Sequence, residues 1–511
     1  MQEKIIIADF GSQYTQLIAR KVRELGVYAE IVPYTKLTPD FIDKENPAGI
    51  ILSGGPASVI REGSPSIDPT VFKKAKRAPI LGICYGMQLM NKLCGGEVGP
   101  SIKREYGRQK VEVKKKGNLL KGFKSKTEVW MSHGDVIRKP AKGFAVLANS
   151  DNHIASIENQ SSKLFGVQFH PEVHHTREGK TVLKNFLGIC GCKADWTMKA
   201  YIEQKTREIR DQVQDSRVIV AVSGGVDSSV AATLVSKAIG DNLICIFIDN
   251  GFLRKNEASE VMKFLKPRLS NLEHVDASTE FILNLKGITD PEKKRKIIGA
   301  LFIEVLERKA REYRVSHLVQ GTIYPDVIES VSAFGSPTSK IKSHHNVGGL
   351  PENMNVTIVE PLKYLFKDEV RVLGRELNLP KEILSRHPFP GPGLSVRCPG
   401  EISEDKLRII READAIFIDE LRKNKLYDKI WQAYAAILPI KTTGVMGDER
   451  TYEYIALLRA VNSVDGMTAN ASNISNKILT RISDRIINQV KGVNRVVYDV
   501  SSKPPATIEL E

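Results

Sequence analysis

Three short runs near the N-terminus share one pattern, and it leaves few folds open. "KIIIADF" (4–10), "AGIILSGGP" (48–56) and "APILGICYG" (78–86) are apolar on successive residues, and the last two run into glycine. A strand apolar on both faces must be covered on both faces, which parallel sheets flanked by helices achieve. Amphipathic stretches follow: "YTQLIARKVRELG" (14–26), stopped by Gly26, and the run to "KLCGG" (92–96). The pattern restarts at "RVIVAVSGGVDSS" (217–229), continues in "NLICIFIDNG" (242–251) and returns in "SHLVQGTIYPDVIES" (316–330). The expectation is an α/β chain with two successive parallel-sheet domains.

The chain's 511 residues exceed one ordinary core, and length alone suggests about three domains. β-rich additions to the first domain are expected at 111–117, 128–135, 154–159 and 163–172. "GICGCKADW" (188–196) reads as a boundary and "MKAYIEQKTREIRDQV" (198–213) as a helix. Residues 331–356 are rich in Gly, Ser, Pro and Asn and read as a lid. "SRHPFPGPGLSVR" (385–397) reads as a connector. The remainder mixes helices and strands. The domains expected are therefore 1–195, 196–386 and 387–511.

A formal net charge of +15 favours anionic ligands such as nucleotides. Six cysteines are too sparse for a disulfide scaffold, and a reducing cytoplasm is expected. The three-residue isoleucine run at 5–7 is too short for a secretory signal. No apolar run approaches the roughly 20 residues of a membrane span.

"LGICYGMQLM" places Cys84 between a strand and a helix, with Gly82 and Gly86 flanking it. This is the thiol form of a nucleophile elbow: small neighbours tolerate a strained turn, and the helix N-terminus favours a thiolate. A thiolate needs a base, and the base an orienter. "GVQFHPEV" supplies His170 and Glu172, two apart on one face of an extended segment. "SGGP" (53–56) offers the Gly55 amide, and Tyr85 a second, for an anionic tetrahedral intermediate. In this order and spacing, "SGGP", "GICYGMQ" and "FHPE" resemble the class I glutamine amidotransferases, with a flavodoxin-like fold. The resemblance implies that Cys84 forms a glutamyl thioester and that ammonia is released. It also implies that Gln88, with the amides of "SHGD" (His133, Gly134, Asp135), holds the glutamine.

"SGGVDSS" has the glycines and hydroxyls of a phosphate cradle but no lysine, so it is not a Walker loop. Ser223, Gly224, Gly225, Val226, Ser228 and Ser229 would grip an anion at a helix start near Ser228. Asp227 repels a phosphate unless a cation intervenes, so Mg2+ is expected there. Capping the helix is the other use for such an aspartate. The loop resembles the PP-loop of ATP pyrophosphatases, an adenine-nucleotide α-hydrolase-like fold. That family splits ATP between the α and β phosphates. Asp249, in "FIDNG", would lie near the adenosine.

The combination, together with "HPFPGPGL", "KTTGVMGD" and "SKPPATIE", resembles the glutamine-hydrolysing GMP synthetases over essentially the whole chain. The resemblance implies adenylation of XMP at O2 and its replacement by ammonia. It implies XMP contacts at Lys503, Ile508, Glu509 and Arg295, and a phosphate contact at Arg495. It offers Asp326, Glu329, Lys340, Lys342, His344 and His345 for the lid, and Lys367, Asp368 and Glu369 as partners of the closed lid or Mg2+. It also implies a homodimer through the small α+β C-terminal domain. Leu510 stands where the family usually has tryptophan.

Two other readings compete. An adenylating amidotransferase of the NAD synthetase kind shares the loop at 223–229 but not "SKPPATIE". A nucleic-acid-binding protein would suit the charge, yet no basic stripe interleaved with aromatics is present.

Overall fold

The computed structural model describes residues 3–151, 153–330, 356–463, 466 and 468–511. Lys340, Lys342, His344 and His345 lie outside the described residues, as does the side chain of Glu329. The chain divides into two compact units, one built on Met1–Tyr201 and the other on Ile202–Asp326 with the C-terminal part to Glu511.

The first unit runs β1 (Lys4–Asp9), α1 (Thr15–Glu24), β2 (Tyr28–Pro33), α2 (Pro39–Glu45), β3 (Gly49–Leu52), β4 (Ile80–Ile83) and α3 (Tyr85–Leu93). It continues with β5 (Glu97–Val113), β6 (Lys126–Lys139), β7 (Ala145–Ser150), β8 (His153–Asn159), β9 (Leu164–Val167) and α4 (Gly179–Ile189). Its nine strands lie in the order β2-β1-β3-β4-β9-β8-β7-β5-β6. The first five are mutually parallel, and the rest add antiparallel. Ile5, Ile6 and Ile7 are wholly buried, as an apolar run covered on both faces requires. The antiparallel ribbon β5–β6 is much longer than the short strands expected there, because its exposed residues are charged and mask the alternation.

The second unit runs α5 (Met198–Val213, which begins at the boundary), β10 (Val218–Ala221), α6 (Val226–Ile239), β11 (Leu243–Asp249), α7 (Glu257–Leu265), β12 (Leu272–Asp276), α8 (Ser278–Asn284) and α9 (Pro291–Tyr313). Then come β13 (His317–Val319), α10 (Tyr324–Ser330, which belongs to this unit as far as Asp326), β14 (Thr357–Val359), α11 (Lys367–Glu376) and α12 (Lys381–Leu384). Its first sheet is parallel throughout, in the order β12-β11-β10-β13-β14. The chain steps outward from β10 to β12, then resumes on the other side at β13. Such a reversal opens a crevice at the strand ends, where ligands bind in folds of this kind. A second sheet follows, from α13 (Glu404–Lys423), β15 (Gln432–Met446), β16 (Glu449–Asn462), β17 (Asn470–Ala471), α14 (Asn476–Gln489) and β18 (Val493–Asp499). β15 and β16 form a long antiparallel hairpin turned by Gly447 and Asp448, both at positive φ.

The proline-rich connector is buried rather than looped out. Gly393 sits at φ +64°, and Leu394 N–H donates to Phe252 O at 2.8 Å. His387 stacks on Tyr427 with ring centres 3.9 Å apart. Its Nδ1 accepts from Ala433 N–H at 3.1 Å, which leaves Nε2–H to donate to Tyr427 O at 2.9 Å. Burial pushes its pKa down to about 4, so it is a neutral packing residue. Turn-forming composition read as a connector here because the prolines and glycines hide the close packing they permit.

Candidate functional site

Cys84 leaves the end of β4 at φ +51° and ψ −105° and stands at the N-cap of α3. A non-glycine residue held there costs on the order of 1–3 kcal/mol, which its surroundings must offset. Those surroundings admit no side chain on either flank. A Cβ on Gly82 would lie 2.6 Å from the Gly86 backbone, and one on Gly86 would strike Leu52 O. Each of the two glycines therefore lets backbone approach backbone at the elbow.

The neighbouring strands supply the rest. β4 pairs with β3 on one side and β9 on the other, so Ser53–Pro56, Cys84 and Gln168–Glu172 emerge at the same edge. His170 Nδ1 meets Glu172 Oε1 at 2.7 Å, both side chains buried. Burial alone disfavours the imidazolium, but the Glu172 charge and the hydrogen bond to Cys84 outweigh it, and the His170 pKa lies well above the usual range. Tyr14 packs edge-on against the ring, centroids 5.1 Å apart. Among the described residues, the N–H groups of Gly55 and Tyr85 donate to no other backbone group. Cys84, His170 and Glu172 therefore come together as expected, and the Gly55 and Tyr85 amides are left without a backbone acceptor.

On the glutamine side, His133, Gly134 and Asp135 lie inside β6, within the β-rich stretch expected at 128–135. The His133 ring is buried between Asp135 O and Glu105 Oε2, each at 3.0 Å, and Ser150 donates to the same carboxylate at 2.8 Å. His133 thus braces the strand with its side chain. Gln88 Nε2 donates to Asp135 O at 2.8 Å and to Gln168 Oε1 at 3.1 Å. Glu105 and Gln168 were not legible as site residues, because their partners lie 28 and 80 positions away.

The second centre follows β10. Gly224 takes φ +73°, and a Cβ there would meet Val261 and Arg386. The Ser223 and Ser228 hydroxyls are 3.0 Å apart, and Ser228 Oγ also accepts from Ser223 N–H at 3.2 Å. The helix begins at Val226 with Gly225 as its cap, two residues earlier than expected. Asp227 is therefore in the first turn and does not cap it. Its Oδ2 accepts from Lys367 Nζ, at the start of α11, while Oδ1 is buried without a hydrogen-bond partner. The two partners of this ion pair are 140 residues apart in sequence. Arg386 Nη1 braces the loop by donating to Gly224 O at 3.0 Å. Ser229 is wholly buried, whereas Ser223 is exposed. Asp249 Oδ1 accepts from Gly251 N–H at 2.8 Å and shapes the turn after β11.

Three family patterns match this chain: "Glutamine amidotransferase class-I" over residues 6–190, "NAD synthase" over 199–293 and "GMP synthase C terminal domain" over 419–510. A "GMP synthase, glutamine-hydrolyzing" from Carboxydothermus hydrogenoformans is 55% identical over 516 residues, covering 100% of both chains. One from Fusobacterium nucleatum is 53% identical over 511 residues, covering 99% of each. The chain belongs to the GMP synthase family. Among solved structures, a proposed GMP synthase subunit from Thermoplasma acidophilum matches 37% of this chain and 95% of its own, at 33% identity and a TM-score of 0.33.

The C-terminal residues singled out by resemblance to GMP synthases are mostly engaged within the second unit. Glu509 is held by Arg397, with Nε and Nη2 each 3.0 Å from a carboxylate oxygen, and Gln432 donates to the same group. Arg397 is wholly buried and lies over the Tyr434 ring at 4.2 Å. Ile508 O accepts from Tyr434 Oη at 2.8 Å and Arg459 Nε at 2.9 Å. Lys503 Nζ donates to Gly466 O at 2.8 Å. Arg295 donates to Glu511 O, and buried Lys294 pairs with the Glu511 side chain at 2.7 Å. Leu510 packs against Tyr434, Ala436 and Leu457, so it fills an apolar niche where GMP synthases usually carry tryptophan. Arg495 is exposed on β18. Asp326 Oδ2 accepts from Ile323 N–H at 3.0 Å, and Glu369 Oε2 from Phe366 N–H at 2.9 Å, so both brace helix starts. Asp368 lies in the first turn of α11. Arg397 was missed in the sequence, where it is one basic residue at the end of the connector.

Proposed function

We propose that this chain makes GMP, converting XMP, ATP, glutamine and water to GMP, AMP, pyrophosphate and glutamate. The full-length identity to GMP synthases carries the substrate choice, and the geometry supports each half-reaction.

In the first, His170, oriented by Glu172, takes the Cys84 proton, and the thiolate attacks the glutamine carboxamide carbon. The Gly55 and Tyr85 amides stabilise the oxyanion. His170 returns the proton to the departing nitrogen, ammonia leaves, and water hydrolyses the thioester to glutamate. Gln88 and the β6 edge at His133–Asp135 bind the amino acid.

In the second, Ser223, Gly224, Gly225 and Ser228 cradle the β and γ phosphates at the N-terminus of α6. The xanthine O2 attacks the α-phosphorus, pyrophosphate leaves, and ammonia displaces AMP at C2. Lys367 stands beside the loop, where its ammonium meets charge on the leaving pyrophosphate. Among the described residues no ready-made cluster of three His, Cys, Asp or Glu side chains could hold a metal. A single carboxylate sharing the ion with phosphates is the usual arrangement for Mg2+, and the unpartnered Oδ1 of Asp227 fits it. When bound, Mg2+ neutralises phosphate charge; Asp227 and the loop hydroxyls hold it in register.

Lys503 and Arg495 are the cations for the XMP phosphate, with Arg295 and Ile508 as further contacts to XMP. Glu509, fixed by Arg397, presents its remaining lone pairs to a purine N–H. Asp326, Glu329, Lys340, Lys342, His344 and His345 are assigned to closing over the nucleotide, with Asp368 and Glu369 framing Lys367. Two copies associate through the C-terminal sheet, where Val445 and Tyr452 on the β15–β16 hairpin are 74% and 67% exposed. Sedimentation should give a dimer, and a double substitution Val445→Glu, Tyr452→Glu should give a monomer. The cytoplasm, where the six cysteines stay reduced, is the expected compartment.

The deciding experiment measures products from XMP, ATP and glutamine. AMP, pyrophosphate and GMP are expected in equal amounts. The NAD synthase match over 199–293 favours one other acceptor. Pyrophosphate exchange into ATP with deamido-NAD and none with XMP would transfer the assignment to it.

A further inference from the structure

Gln168 is outside the triad, yet it is the side chain that ties the glutamine pocket to the nucleophile. It is buried, two residues before His170, with its backbone N–H donating to Ala155 O at 2.8 Å. The orientation of its amide follows from the network. Asp135 O only accepts, so the Gln88 NH2 faces it at 2.8 Å; that same NH2 reaches Gln168 at 3.1 Å, so Gln168 turns its oxygen there. The Gln168 NH2 is left facing Cys84 Sγ, at 3.5 Å. Besides His170, the sulfur also faces Ser132 O at 3.6 Å, which accepts from a thiol and repels a thiolate. Once His170 holds the proton, the Ser132 interaction no longer favours the sulfur. The Gln168 N–H favours it more, because a hydrogen bond to a charged acceptor is the stronger kind.

We propose that Gln168 is a positioning residue for glutamine hydrolysis, whose carboxamide N–H steadies Cys84 as the thiolate and fixes its aim while its oxygen anchors Gln88. No proton or electron passes through it. The inference rests on the reading of Cys84 as the nucleophile.

The test compares the full-length enzyme with Gln168→Met, which fills the space without a donor, and Gln168→Glu, which keeps the shape and the acceptor toward Gln88 but turns a carboxylate oxygen to the sulfur. Iodoacetamide alkylation of Cys84, followed by mass spectrometry across pH, reads thiolate formation directly. The midpoint should move upward by about one pH unit in Gln168→Met and further in Gln168→Glu. Glutamine-dependent kcat should fall on the order of tenfold or more in both variants, with KM little changed in Gln168→Glu, which keeps the acceptor toward Gln88, while ammonia-dependent synthesis stays within about twofold. Alkylation profiles that superimpose on the parent in both variants would overturn the proposal, whatever happened to the rate. Failure of the underlying reading looks different: the parent, alkylated at Cys84, would retain glutamine-dependent synthesis.

Discussion

Cys84→Ala should abolish glutamine-dependent synthesis and leave synthesis from added ammonium close to the parent rate. The loss should be at least on the order of 10^4-fold, because removing a nucleophile removes the covalent route itself. The substitution is mild for the fold: alanine keeps the Cβ, the elbow glycines keep their contacts, and one sulfur leaves a buried site. His170 retains Glu172 at 2.7 Å. Paired assays of GMP from glutamine and from ammonium chloride decide the matter. Loss of both activities would show that the elbow supports more than the hydrolysis of glutamine.

Asp227→Ala should remove both activities together. Its Oδ1 is buried without a partner, and the carboxylate is the one acidic group in the first turn of α6. Without it the loop keeps its hydroxyls and helix N-terminus but loses the group that would hold a cation against the phosphates. A fall on the order of 10^2-fold or more is expected in pyrophosphate exchange. The fold should survive, since Gly225 caps the helix and Lys367, partly exposed, can turn to water. Asp227→Asn separates charge from shape and should be nearly as inactive. Exchange at the parent rate in both variants, with excess Mg2+, would reduce Asp227 to a partner for Lys367.

The parts legible in the sequence were those whose meaning is local. The apolar runs around Ile5–Ile7 and Val218–Val220 announced parallel strands, because burial on both faces leaves no polar residue to interrupt them. The Cys84 elbow and the Gly224–Gly225 turn were legible because glycine marks where backbone must pass close. What stayed hidden depends on distant pairing. Lys367 was offered by resemblance as a partner of the closed lid or Mg2+, and nothing local says that it reaches Asp227. Arg397 and Glu509 are 112 residues apart, and their ion pair exists only because the connector folds inward beneath β15. The length of the β5–β6 ribbon was missed for a different reason: charged exposed faces erase the alternation that would have extended it.

The reactive groups of the first unit leave three neighbouring strands at matched rungs: Leu52 opposite Gly82, Ile83 opposite Val167, and Cys84 N–H on Val167 O at 2.8 Å. Their aim is therefore calibrated by main-chain pairing. Side chains in the surrounding loops are free to drift over evolutionary time at little penalty to that alignment. One inserted residue in β3, β4 or β9 is another matter: strand side chains alternate, so the slip would turn its group to the opposite face and disarm the catalyst.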